Sequence, residues 1–179
     1  MALAERKEYT LDDIYALPEG VRAELIDGQI YYMAPPSANH QKVLASLVRQ
    51  IGNHIEKSAG ECEIYPAPFA VYLNEDDVKY VEPDISVICD KNKVNQGGCK
   101  GAPDWVIEIV SPGSVRMDYY TKLFKYRSAK VKEYWIVDYE KKLISVYDFQ
   151  NENLERYDIP GEVPVNLYSG ELKIVFNEI

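Results

Sequence analysis

Cysteine and histidine are scarce in this sequence, whose 179 residues include three cysteines and two histidines. Cys62, Cys89 and Cys99 show neither C-x-x-C spacing nor histidines at the intervals typical of zinc ligands, which argues against a structural zinc site. The cysteines are odd in number and lie far apart in the sequence. We therefore expect free thiols and a reducing cytoplasm as the location of the protein.

Long apolar segments are also missing. No apolar run is long enough to cross a bilayer, and the stretch from Met1 to Thr10 lacks the apolar region of a secretory signal. We therefore expect neither a membrane span nor an export signal. Hydrophobic residues make up 46% and charged residues 27% of the chain, a balance typical of globular proteins. The length favours a single domain over residues 1–179.

Positive charge is the third scarce feature. The formal net charge of −9 argues against indiscriminate binding to nucleic acid, because an acidic surface repels phosphate. The charge is unevenly distributed, since the stretch from Lys91 to Lys142 holds eleven Lys and Arg against six Asp and Glu. If the protein has a phosphate-facing surface, we expect it to come from this stretch.

The pattern of apolar and turn-forming residues predicts an α/β fold in the order helix, strands, helix, strands. A short helix should begin after Thr10 and end at Pro18-Glu19-Gly20. A β-hairpin should follow, with strands at Ala23–Ile26 and Gln29–Met33 joined by the turn Asp27-Gly28.

A long amphipathic helix is indicated next, because apolar residues recur at helical spacing from Val43 to Ile55 and Gly60 supplies a stop. The remaining predicted elements are strands at Ile64–Leu73, Tyr80–Ile88 and Trp105–Val110, a polar turn at Asn74–Asp77, a helix at Asp118–Lys130, and strands at Tyr134–Val137, Leu143–Phe149 and Leu154–Ile159. The first three of these strands should form the middle of a sheet.

Two carboxylates stand where a buried strand should be apolar. Glu108 interrupts the otherwise apolar run Trp105–Val110, which has the pattern of a strand buried on both faces. Asp84 follows Pro83 in the preceding predicted strand, Tyr80–Ile88. Proline cannot donate to a neighbouring strand, so Pro83 marks either the beginning of this strand or an irregular edge. An unpaired buried carboxylate costs several kcal/mol and must be protonated, paired with a cation or bound to a metal.

Each carboxylate alone could pair with an Arg or Lys, and Asp84 could lie at an exposed strand end. Together the two favour a metal site, because hard cations such as Mg²⁺ prefer carboxylate oxygens and compensate for the burial of both charges. This interpretation assumes that the two strands are neighbours.

A set of short motifs over almost the whole chain resembles a known family. The motifs are Ala23-Glu24-Leu25-Ile26-Asp27-Gly28, His40-Gln41, Glu82-Pro83-Asp84, Gly101-Ala102-Pro103-Asp104, Ile107-Glu108-Ile109-Val110-Ser111-Pro112 and Glu133-Tyr134-Trp135-Ile136-Val137-Asp138. In this order they resemble the Uma-two family of "putative restriction endonucleases", within the PD-(D/E)XK nuclease superfamily. The resemblance implies a restriction-endonuclease-like fold, with a central mixed β-sheet flanked by helices and preceded by an N-terminal helix and β-hairpin.

The resemblance also implies a set of site residues. Asp84 and Glu108, with the backbone carbonyl of Ile109, would bind Mg²⁺ or Mn²⁺. The superfamily expects a Lys two residues after the Glu, where this chain has Val110, and the family replaces it by Lys122 on the next helix. Lys122 would orient the attacking water, and Glu24 would be an additional metal or water ligand.

The function implied is that of a Mg-dependent endonuclease that hydrolyses phosphodiester bonds in nucleic acid, with DNA favoured, and acts as a homodimer. From the residues alone, Lys122 could instead form an exposed i,i+4 pair with Asp118, or Asp118 could orient it. His40 could have an active-site role or lie in solvent. Two other functions stay open, a non-catalytic module that binds nucleic acid or protein, and a hydrolase of a smaller phosphate compound.

Overall fold

The structure is a computed structural model that describes residues 8–74 and 79–178. Its elements along the chain are α1 (Leu11–Tyr15), β1 (Ala23–Ile26), β2 (Gln29–Tyr32), α2 (Ala38–Ser58), β3 (Glu63–Pro66), β4 (Val71–Tyr72), β5 (Lys79–Tyr80), β6 (Ile85–Ile88), β7 (Val94–Asn95), β8 (Gly98–Lys100), β9 (Trp105–Ile109), α3 (Leu123–Ser128), β10 (Glu133–Asp138), β11 (Leu143–Asp148), β12 (Asn153–Asp158), β13 (Gly161–Pro164) and β14 (Lys173–Phe176). A π-helical segment, Met117–Lys122, leads directly into α3. Residues 1–7 of the N-terminal stretch and residues 75–77 of the predicted polar turn lie outside the described residues.

A six-stranded sheet has the order β12-β11-β10-β9-β6-β3. Strands β9 and β10 are parallel, and the other neighbouring pairs are antiparallel. Smaller sheets have the orders β2-β1-β5, β4-β8-β7 and β13-β14. This arrangement confirms the predicted α/β fold with a central mixed sheet.

One face of the central sheet is covered by α2 and the β13–β14 hairpin. Helix α2 supplies Val43, Leu47 and Ile51, which recur at helical spacing and pack with apolar side chains of β6, β9 and β10. The other face is covered by the segment containing α3, whose Tyr126 packs with Val106 and other buried residues. Both helices thus approach the pair β6–β9, one from each face of the sheet.

Proline divides two of the predicted strands. The predicted strand Ile64–Leu73 is wrong as one unit, because it separates into β3 and β4 in different sheets around Pro66 and Pro68. The predicted strand Tyr80–Ile88 likewise separates into β5 and β6 around Pro83. Proline has no N–H to donate to a neighbouring strand, so pairing stops or changes partner at these positions.

The predicted helix Asp118–Lys130 differs from the structure in form and bounds. The structure has the π-helical segment Met117–Lys122 followed by α3, which ends at Ser128. Single π-helical turns are rare in proteins, but those that occur are often found at functional sites. Here the π-helical segment carries the buried side chains of Asp118 and Lys122.

The prediction of free thiols is wrong for two of the three cysteines. Cys62 and Cys89 form a disulfide bond, whereas Cys99 is free and buried. Cys62 directly precedes β3 and Cys89 directly follows β6, and these strands pair with Glu63 opposite Ile88. The two cysteines are therefore cross-strand neighbours, which their separation of 27 residues did not reveal. The cysteine argument for a reducing cytoplasm loses its basis.

None of the helices within the described residues has the length and apolar character needed to span a membrane.

Candidate active site

Asp84 and Glu108 meet at one edge of the central sheet. Ile85 of β6 pairs with Ile107 of antiparallel β9. Continuing this register by one step places Asp84 opposite Glu108. The backbone N–H of Asp84 lies 3.5 Å from Oε2 of Glu108. The assumption that the two carboxylates occupy neighbouring strands therefore holds.

One oxygen of Asp84 has two polar neighbours. Oδ2 accepts a hydrogen bond from the Ile109 backbone N–H at 2.8 Å and lies 3.1 Å from Nε2 of His40. His40 stands in the first turn of α2, is 6% exposed, and has no hydrogen-bond partner at Nδ1 within the described residues. Burial by itself lowers the pKa of His40, but its hydrogen bond to Asp84 and the charge of Asp84 outweigh burial and raise the pKa. The structure thus places His40 inside the candidate site.

Glu108 uses its two oxygens differently. Oε1 accepts hydrogen bonds from Lys122 Nζ at 2.9 Å and from the Tyr126 hydroxyl at 2.6 Å. Oε2 makes only the long contact to the Asp84 backbone among the hydrogen bonds of the described residues. Oε1 of Glu108 thus faces the helical segment and accepts two hydrogen bonds. Oε2 faces Asp84 and has only this one weak contact within the described residues.

Lys122 lies between two acidic side chains. Its ammonium is 2.9 Å from Oε1 of Glu24 and 2.9 Å from Oε1 of Glu108, and it is 4.0 Å from Oδ1 of Asp118. The Lys122 residue is only 4% exposed. The alternative of an exposed pair with Asp118 is therefore wrong, and the helix carries this lysine back to the carboxylates.

Glu24 reaches the site from the N-terminal hairpin. It lies in β1, is 4% exposed, and its Oε1 accepts a hydrogen bond from the backbone N–H of Glu82 at 3.0 Å. This bond joins the hairpin to the segment that leads into Asp84. The position of Glu24 beside Lys122 therefore depends on the hairpin docking against that segment.

Asp118 supports the site from the π-helical segment. Its Oδ2 accepts a hydrogen bond from the Ser114 hydroxyl at 2.5 Å, and its backbone carbonyl accepts one from the Tyr134 hydroxyl at 3.0 Å. Burial raises the pKa of Asp118 to about 6, against the lowering effects of Lys122 and Ser114. Asp118 is therefore a buried acid held beside, and not in direct hydrogen bond with, the ammonium.

The site contains more carboxyl groups than cations. Three carboxylates, those of Glu24, Glu108 and Asp118, lie within 4.0 Å of the Lys122 ammonium, and the charge of Asp84 acts on Glu108 from the neighbouring strand. Burial is the main cause that raises the pKa of Glu108, and the neighbouring acids raise it further. Burial lowers the pKa of Lys122, but the charges of Glu108 and Glu24 raise it well above its ordinary value. Lys122 is thus protonated at neutral pH.

This donor set fits a hard divalent cation. A second positive charge would offset the excess of carboxylates, and Oε2 of Glu108 lies on the Asp84 side, where it could contribute a ligand. No group of three His, Cys, Asp or Glu side chains in residues 8–74 and 79–178 forms a ready metal cage. Mg²⁺ is commonly bound by one or two carboxylates together with waters and substrate phosphate, so such a cage is not required.

Tyr126 is the site residue that the sequence reasoning missed. Its hydroxyl donates to the same oxygen of Glu108 as Lys122 does, and the residue is fully buried. Tyr126 follows Lys122 by four residues, the spacing that puts two side chains on one helix face. This spacing indicates that Tyr126 shares a helix face with Lys122. It places Tyr126 in the site only if Lys122 itself points into the protein, which the sequence does not show.

Other acids in the family-like motifs have structural partners. Asp104 accepts a hydrogen bond from the Cys89 backbone at 2.7 Å. Glu133 accepts hydrogen bonds from Nε1 of Trp135 and from the backbone of Leu167, both at 2.7 Å. These two carboxylates hold the backbone at Cys89 and Leu167 against the sheet and, within the described residues, make no contact with Lys122.

Known proteins resemble this chain over most of its length. A model of the Uma2 family, described as "Putative restriction endonuclease", matches residues 11–171. This chain belongs to that family. Two uncharacterized proteins of Synechocystis sp., slr1290 and sll1609, are 29% and 27% identical to it over 69% and 65% of its length. The matches span 64% and 66% of those relatives' own lengths.

A solved structure has the same fold. It is a crystal structure described as that of a putative nuclease belonging to DUF820 from Anabaena variabilis, with a TM-score of 0.74 and 25% sequence identity. The likeness covers 93% of this chain and 94% of that one. The predicted restriction-endonuclease-like fold of this Uma2 chain is therefore confirmed.

Proposed function

We propose that this Uma2 protein is a metal-dependent endonuclease that hydrolyses phosphodiester bonds of DNA. The single observation that carries the proposal is the register of β6 and β9, which sets Asp84 opposite Glu108 while Lys122 contacts Glu108 from the helix. Membership of a family described as "Putative restriction endonuclease" supports the same class of reaction.

Asp84, Glu108 and the backbone carbonyl of Ile109 are the proposed ligands of Mg²⁺ or Mn²⁺. His40 is a further candidate, because its Nε2 stands beside the Asp84 carboxylate and imidazole is a common metal ligand. The separation of His40 Nε2 and Asp84 Oδ2 is 3.1 Å. An imidazole ligand suits Mn²⁺ better than Mg²⁺. Without a metal, the same contact lets His40 orient the Asp84 carboxylate.

A bound divalent cation supplies charge stabilisation at the phosphate and lowers the pKa of a bound water. The protonated ammonium of Lys122 donates a hydrogen bond to the attacking water and so orients it. The charges of Glu108 and Glu24 outweigh burial and raise the pKa of Lys122, which favours the ammonium form and an electrostatic role. Glu24 shares the ammonium with Glu108 and fixes its position.

The direct test combines cleavage with metal binding. Purified protein is incubated with single-stranded DNA, duplex DNA, RNA and a small phosphodiester, each with Mg²⁺, Mn²⁺ or EDTA. Asp84→Asn and Glu108→Gln should abolish metal-dependent cleavage and the calorimetric heat of Mn²⁺ binding while leaving the circular dichroism spectrum unchanged. Lys91→Met, which alters an exposed pair with Glu63, is a matched surface control.

Three results would redirect the proposal. Cleavage by Asp84→Asn at the parent rate would refute the metal site. Binding of nucleic acid without metal binding or cleavage would favour the non-catalytic module. Cleavage of only the small diester would favour the smaller phosphate substrate.

The remaining predictions belong to the same proposal. We propose one domain over residues 1–179 and a homodimer, which would set two active sites on one duplex. Light scattering after gel filtration measures the mass of the assembly and separates dimer from monomer. The cytoplasmic location stays a prediction, and fractionation of cells expressing a tagged protein tests it.

A further inference from the structure

The helical segment that points Lys122 into the site presents aromatic rings on its outer face. Tyr120 and Phe124 are 71% and 64% exposed, and they follow one another by four residues. Both differ by two positions from Lys122, which puts them on the opposite side of the helix from the buried ammonium. Single exposed apolar residues are ordinary, but two neighbouring aromatic rings on one helix face form a patch.

Arginine residues stand at both ends of this patch. Arg116, Tyr120, Phe124 and Arg127 are all exposed and follow helical spacing, and we call these four residues the outer stripe. Arg127 lies 3.4 Å from Glu152, but both side chains are more than half exposed, so solvent screens that pair and an incoming phosphate can replace it. Arg116 makes no ion pair within the described part of the chain.

Most other cations of the basic stretch are already neutralised. The cations that pair with carboxylates are Lys91, Lys122, Lys125, Lys132, Lys141 and Lys142. The outer stripe therefore combines exposed aromatic rings with cations on a chain whose net charge is −9. On an acidic chain, exposed arginines of this kind attract a polyanion by electrostatics.

We propose that the outer stripe binds an unpaired, single-stranded stretch of the DNA substrate. Bases of a single strand stack on Tyr120 and Phe124, and the phosphates between them pair with Arg116 and Arg127. Duplex bases are already stacked on one another and cannot lie flat on these rings. A helix is about 10–12 Å across, so the stripe holds nucleotides close to those at Lys122. The inference rests on the proposed nuclease function and adds the kind of substrate.

The test measures binding without metal, so that it is independent of cleavage. Fluorescence anisotropy in EDTA follows a short labelled single strand and the duplex of the same sequence. Tyr120→Ala/Phe124→Ala should weaken single-strand binding by at least about tenfold and leave duplex binding nearly unchanged. Tyr15→Ala/Tyr32→Ala is the matched control, because these tyrosines are 61% and 68% exposed and lie outside the stripe. That control should bind like the parent.

Salt dependence tests the arginines separately. Loss of two phosphate contacts in Arg116→Ala/Arg127→Ala should reduce the slope of log K against log salt by about 1.4. The inference is overturned if the parent does not bind single strands, if the aromatic variant binds them like the parent, or if duplex binding falls equally. It is also overturned if the aromatic variant loses only self-association in gel filtration, because the stripe would then be a protein interface.

The two proposals can fail separately. Single-strand binding through the stripe without cleavage in Mg²⁺ or Mn²⁺ would leave the inference standing and refute the nuclease function. If cleavage is normal and the aromatic variant binds single strands like the parent, the inference is refuted and the nuclease function stands.

Discussion

Glu108 stands directly across from Asp84 on antiparallel strands, one register step beyond the pair of Ile85 and Ile107. This relationship decides how the buried charge of Glu108 and the partly buried charge of Asp84 can be accommodated. The Glu108 oxygen on the far side is saturated by Lys122 and Tyr126, which leaves the near oxygen for a shared cation. The proposed metal would account for the burial of Glu108 and for the different partners of its two oxygens.

Lys122→Met should lower both activity and stability. The variant keeps the length of the side chain but removes the cation between Glu24 and Glu108. Loss of one partner of a buried ion pair costs about 3–5 kcal/mol, and loss of a positioned donor lowers cleavage by about 10²–10³-fold. Chemical denaturation and single-turnover cleavage measure the two effects.

The deficit of this variant should depend on pH. Without the ammonium, the buried Glu108 favours its protonated form more strongly, so its folded pKa lies further above the unfolded value. Such a group stabilises the fold fully below the unfolded pKa and loses that effect as pH rises through the folded pKa. The deficit should therefore be larger at pH 7 than at pH 4, and a deficit independent of pH would contradict this assignment. Lys91→Met should change stability by less than about 1 kcal/mol.

Tyr126→Phe should disturb Glu108 without changing the shape of the core. The lost hydroxyl bond to Glu108 should cost about 1.5–3 kcal/mol of unfolding free energy and weaken Mn²⁺ binding. Tyr134→Phe is the control, because that hydroxyl is equally buried and donates to the backbone carbonyl of Asp118. We expect the control to lose about 1 kcal/mol and to keep its metal affinity. Equal metal affinities in the two variants would show that Tyr126 only packs.

The carboxylates could be predicted from sequence because the signal is local. A single acid in the apolar run of β9 is costly whatever surrounds it, and Pro83 marks the beginning of β6 just before Asp84. The partners of these acids could not be predicted in the same way. His40 belongs to α2, which covers the face of the central sheet opposite α3. Its position therefore depends on how α2 packs on the sheet.

Lys122 required both a family resemblance and tertiary structure. A lysine four residues after Asp118 ordinarily forms an exposed pair, and nothing local indicated the π-helical segment that buries both side chains. Tyr126 has no acidic neighbour in sequence and is linked to the site only through Glu108. Side-chain roles that depend on contacts between distant elements therefore stayed beyond the sequence patterns.

Reduction of the disulfide should destabilise the protein without disturbing the active-site side chains directly. Cys62 and Cys89 close a loop with a sequence separation of 27, for which loop-closure entropy gives about 3.5 kcal/mol. Denaturation with and without dithiothreitol should show a loss of this size. Cys62→Ser/Cys89→Ser should show the same loss and no response to reductant. Three reactive thiols in the unreduced, denatured parent would contradict the disulfide.

Asp118 should make the metal-free protein less stable as pH rises from about 4 to 6. Burial raises its folded pKa from the ordinary 3.8 to about 6, so its contribution is fully present below the unfolded pKa and is lost as pH rises through the folded value. A difference of about two in pKa corresponds to about 3 kcal/mol. Asp118→Asn cannot ionise and can still accept the Ser114 hydrogen bond. Subtracting its unfolding free energy from that of the parent at each pH removes the effect of acids that do not interact with Asp118. The difference should fall between pH 4 and 6 and then level off. A flat difference would mean that Lys122 and Ser114 stabilise the ionised carboxylate enough to cancel its burial.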